Sequence, residues 1–107
     1  MSGMPYEEID ALKNCFVKQL SPLRVYLFGS YATDSYDNES DFDFFIVVDD
    51  SHTNITGLIA EAYKSIRGIK RHPVDILVAT NERFEARKHL PTIEREVFQK
   101  GVLLYAS

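Results

Sequence analysis

The most constraining stretch of this chain is Asp41 to Val48, DFDFFIVV, which turns wholly apolar after its first three residues. A run of that length without polar alternation reads as a central strand covered on both faces, so the fold must supply packing above and below it. Residues two apart in a strand share a face, so Asp41 and Asp43 project together while Phe42 faces the other way. Side-by-side carboxylates raise one another's pKa unless a cation neutralises them. At the start of a buried strand that arrangement points to a metal site, with Mg²⁺ as the natural occupant.

The flanking patterns supply the packing. From Tyr6 to Leu20 the apolar positions Ile9, Leu12, Phe16 and Leu20, joined by Cys15, recur at three- and four-residue intervals, which predicts a helix with one buried face. Pro22 follows it. Arg24 to Phe28 (RVYLF) reads as a short buried strand stopped by Gly29, SYAT as a short helical turn, and Asp34 to Ser40 as an exposed loop whose Asp34, Asp37 and Glu39 are solvent-facing charges. Asn54 can cap a helix running to about Ile66 that Gly68 ends, and Pro73 opens a third strand, Val74 to Ala79. Thr80 or Asn81 can start another helix, Pro91 suits the first turn of a last one, and Gly101 leads into a terminal VLLY strand. The order α-β-(short α)-β-α-β-α-α-β is that of an α/β or α+β domain on a small mixed sheet. With 107 residues and 45% hydrophobic content, the chain suffices for one such domain, residues 1–107, and not for two.

Further chemistry is marked at two places. Asp75 lies in the otherwise apolar VDILVA strand, where an unpaired ionised group is costly, so it too calls for a cation. If that strand lies beside Asp41 to Val48, three carboxylates converge at one sheet edge and can bind one or two hard cations through oxygen. Gly29 and Ser30 end the first strand and begin the short turn, where backbone N–H groups and a hydroxyl could receive a phosphate. His52, His72 and His89 share no metal-ligand spacing and read as ordinary surface histidines, and the basic run RGIKRH (Arg67 to His72) reads as a solvated loop.

Charge narrows the partners. Twelve basic against 16 acidic side chains give a formal charge of −4, which opposes non-specific binding to nucleic acid and to anionic membranes. The single cysteine excludes a disulfide framework and a soft-metal cluster, and no stretch approaches the roughly 20 apolar residues that span a bilayer. Nor does the N-terminus carry a basic segment followed by an apolar run. A soluble, unprocessed, cytoplasmic protein is expected.

Gly29-Ser30, ten intervening residues and then Asp41-Phe42-Asp43 resemble the GS-x10-DxD signature of the polymerase-β-like nucleotidyltransferase superfamily. VDILV resembles the strand supplying its third acidic residue. The leading helix, VYLFGSYA and IEREVFQKGVLLY all resemble the short minimal nucleotidyltransferase (MNT) domains of prokaryotes, often paired with a HEPN-domain protein, some of them antitoxins that transfer AMP to a tyrosine of the HEPN toxin. The resemblance implies that fold, a small mixed sheet flanked by helices, with Asp41, Asp43 and Asp75 as metal-binding and catalytic residues and Gly29 and Ser30 as nucleotide-binding ones. It implies Mg²⁺ (one or two ions) as cofactor, ATP as substrate and a HEPN-type partner or a homo-oligomer completing the acceptor site. Many relatives carry a basic residue in a GSxARG context where this chain has GSYATD. A non-catalytic antitoxin that masks its partner by contact, or a transferase acting on a small molecule, are the alternatives.

Overall fold

The computed structural model describes residues 5–33, 35–37 and 40–107; Asp34 and Glu39 of the predicted acidic loop lie outside the described residues. Along the chain come α1 (Tyr6–Leu20), β1 (Arg24–Phe28), a 3₁₀ turn (Gly29–Tyr31), β2 (Phe42–Val48), α2 (Ile55–Ser65), β3 (Val74–Thr80), α3 (Asn81–Arg87), α4 (Ile93–Lys100) and β4 (Val102–Ala106). The expected order is the observed one, with differences at the ends of elements. Asp41 stands just ahead of β2 rather than in it, and α4 starts at Ile93 because the Thr92 side chain accepts from Arg95 N–H, which Pro91 has no acceptor side chain to do. Asn54 and Thr80 cap α2 and α3 in the same way.

The strands form one four-stranded sheet in the order β3-β2-β1-β4. β1 pairs antiparallel with β2 and β4, whereas β2 and β3 run parallel, joined through α2. β2 is therefore interior, and all of it is buried except Asp43. One face carries Phe42, Phe44, Ile46, Val25, Leu27 and Ile76 against Leu12 and Phe16 of α1 and Ala62 of α2. The opposite face carries Phe28, Phe45, Val47 and Ala79 against Phe84 of α3 and Val97 of α4. Both faces of DFDFFIVV are covered, as its lack of alternation requires. Glu94 is buried at 2% exposure, a charge the sequence pattern does not flag; Arg87 Nε donates to its carboxylate at 3.1 Å and Arg83 Nε lies at 3.5 Å. No helix among the described residues is long and apolar enough to cross a membrane.

The two faces are unequally covered. α3 and α4, with seven and eight residues, span only about 10 and 12 Å, against about 23 Å for a seven-residue strand. The uncovered length includes Asp75 and Leu77 of β3, both exposed.

The packing sets a contrast in urea denaturation. Phe44→Ala, at a fully buried position in edge-to-face contact with Phe16, should cost about 3–5 kcal/mol, whereas Leu77→Ala, 39% exposed on the edge strand, should cost under about 1 kcal/mol.

Candidate functional site

Register brings the marked residues together. Asp43 pairs with Asp75 across the parallel ladder and with Phe28 across the antiparallel one, so all three share a face, and Gly29 follows Phe28 directly. Asp75 stands beside Asp43 across the ladder, and both Asp75 and Asp41 act on Asp43 as like-charged neighbours. Burial first, then the charges of Asp75 and Asp41, push the Asp43 carboxyl up from 3.8 to about 6.

Gly29 is essential to this approach. Its φ of +76° lies in the left-handed region, and a Cβ there would collide with Oδ2 of Asp43. The turn after it is held by Ala32 N–H donating to Gly29 O and by Thr33 and Ser35 N–H donating to Ser30 O. Ser30 is half-buried beside the aspartates' end of the sheet.

Two expectations need correction. Asp75 is exposed, not desolvated, because β3 is the edge strand and the short α3 does not reach its start; what calls for a cation there is Asp43 alongside, not an apolar cage. His72 is not an ordinary surface residue, since its Nδ1 lies 2.7 Å from Oε1 of Glu8 and its ring packs on Phe42 with centroids 4.7 Å apart. Glu8 went unmarked because nothing in an acidic residue on a helix's first turn signals a partner 64 positions away. His52 and His89 lie elsewhere: His52 in the turn after β2, and His89 edge-on to Phe98 beyond α3.

Among the described residues no three His, Cys, Asp or Glu side chains close around one point, so the arrangement is an adjacent pair with a third carboxylate beside it. The donor set is all carboxylate oxygen and carries unrelieved like charge, which fits a hard divalent cation and not a soft one. Such a group, next to a turn that permits close approach, suits positioning and charge neutralisation at a phosphoryl group.

The nucleotidyltransferase domain family matches residues 9–104. Among solved structures, a Sulfolobus solfataricus protein described as a candidate nucleotidyltransferase aligns at 20% identity with a TM-score of 0.61, covering 94% of this chain and 78% of that one. A toxin–antitoxin solved with AMP-PNP aligns at 20% identity and TM-score 0.54, over 94% and 73%. A mutant MntA–HpeT toxin–antitoxin aligns at 20% and 0.55, over 98% and 75%. At these identities the likeness is one of fold. No match is found among curated proteins.

Two outcomes follow from the geometry. Gly29→Ala should lose at least about 1 kcal/mol of stability from its left-handed backbone and displace the Asp43 carboxylate, as denaturation and a crystal structure would reveal. A raised folded-state pKa means that Asp43's contribution to stability is complete below about pH 4 and is lost as pH rises through about 6. In metal-free protein at pH 7.5, Asp43→Asn should therefore raise stability by about 1 kcal/mol, allowing for solvent screening at this open site. The gain should disappear at pH 4 in matched thermal melts.

Proposed function

The chain belongs to the nucleotidyltransferase domain family, and on that premise we propose that it transfers a nucleoside monophosphate, AMP from ATP, to a hydroxyl of a partner protein, a tyrosine of a HEPN-type toxin. The reading is carried by the Asp43–Asp75 pair, adjacent across β2 and β3, directly beside the Gly29 turn. Asp41, Asp43 and Asp75 would hold one or two Mg²⁺ through oxygen. When bound, the cation neutralises triphosphate charge and polarises the α-phosphoryl group. The Ser30 hydroxyl and the backbone of the Gly29 turn would receive the β- and γ-phosphates.

Asp75, the most exposed of the three carboxylates, is the one an incoming acceptor meets. In this reading it either completes the cation site or takes the acceptor's proton as the hydroxyl oxygen attacks the α-phosphorus in line and pyrophosphate leaves. A structure of the same fold solved as a toxin–antitoxin with AMP-PNP, an ATP analogue, supports both the nucleotide and the class of partner. A masking antitoxin without transfer is the second reading, favoured by GSYATD, which lacks the basic residue expected after the turn.

Intact-mass analysis of a HEPN-type toxin, incubated with this chain, ATP and Mg²⁺, separates the two. Transfer predicts a gain in AMP units. That gain should fall by more than the ~100-fold ceiling typical of outer-shell changes in Asp41→Ala and Asp43→Ala. A stable complex with no mass gain would instead establish masking.

A further inference from the structure

The strand that delivers Asp75 lies at the sheet's edge, held by its pairing with β2 and by burial of Val74 and Ile76. β3 is an edge strand, paired only with β2, and its start must stay in register while Asp75 faces a like charge on Asp43. Repulsion of this kind acts to splay the two strands at that end. Along its outer side, Tyr63 Oη accepts from Ile76 N–H at 3.0 Å, one residue beyond Asp75.

A further hold comes from α1. Oε2 of Glu8 accepts from the backbone N–H groups of Arg71 and His72 at 2.6 and 3.1 Å, and Oε1 lies 2.7 Å from His72 Nδ1. An ionised carboxylate only accepts, so Nδ1 carries the proton. The Glu8 side chain is only 10% exposed, which strengthens charge-assisted hydrogen bonds of this type. The next residue, Pro73, accepts from Phe42 N–H at 2.9 Å, and the His72 ring lies against the Phe42 ring, between Asp41 and Asp43 in sequence. One carboxylate on the opposite face of the sheet thus grips the segment leading into β3 and, through His72, the start of β2.

We infer that Glu8 is a positioning residue, which fixes the separation of Asp75 from Asp43 and thereby sets the affinity of the site for its divalent cation. The inference rests on the reading of the aspartates as a cation site. Glu8 itself acts through Arg71 and His72, from α1 on the other face of the sheet.

The test is titration of the purified chain with Mn²⁺ in the presence of AMP-PNP, read by electron paramagnetic resonance, together with amide hydrogen exchange of the metal-free protein. Glu8→Ala should weaken Mn²⁺ binding by about 10- to 100-fold, the range for outer-shell partners of metal ligands, and speed exchange at Val74 to Ile76. Glu8→Gln, which keeps an acceptor oxygen for the backbone N–H groups, should recover part of both and carries the test if the alanine variant does not fold. Ile9→Val trims the core one residue along α1 and should leave both readouts at wild-type values. Wild-type affinity in a folded Glu8 variant, or an equal loss in Ile9→Val, would overturn the role of Glu8 alone. A wild-type chain that binds no Mn²⁺ would overturn the cation-site reading, and this inference with it.

Discussion

Two like charges held side by side by a parallel strand ladder are the constraint around which the rest of the molecule is organised. The register of β2 with β3 sets Asp43 against Asp75, and the hydrophobic cores on either side of β2 keep that register from slipping. A slip of one residue would turn Phe44 and Phe42 out of the larger core, a loss far greater than the relief of one carboxylate pair. The cores therefore hold in place an arrangement that local electrostatics opposes.

The division between the two faces follows. The α1/α2 face is packed along the strands and contributes most of the buried apolar side chains, including Phe16, Phe42, Phe44 and Leu12. The α3/α4 face is covered only in part, and its uncovered end holds the carboxylates. The larger apolar core and the acidic end thus occupy opposite sides of one sheet and meet at β2, whose alternate residues face each. Glu8 crosses that division, since it belongs to the well-packed side and acts on the strand carrying the exposed Asp75.

Long apolar patterns in the sequence place α1, β2 and α2, and turn and capping residues such as Gly29, Pro73, Thr80 and Gly101 place the other elements. The Gly29-Ser30 and Asp41-x-Asp43 spacing is legible for the same local reason. The pairing of Asp43 with Asp75 is not, because register is decided by contacts between segments about 30 residues apart. The exposure of Asp75 is misjudged from its apolar neighbours, which say nothing about whether a strand lies at an edge. Glu8 and the buried Glu94 are likewise invisible to pattern reading. Each acidic residue is defined by partners on another element, Arg71 and His72 for one, Arg83 and Arg87 for the other.

The shortness of α3 and α4 also works as an aperture. Each additional helical turn would extend the cover by about 5.4 Å, the length of between one and two strand residues. Two or three turns would therefore roof over Asp75 without altering a single carboxylate. The bulk of the molecule that can approach the acidic end is thus governed by the length of two helices on the thinner face, a property that could change between related chains while the ladder beneath stayed the same.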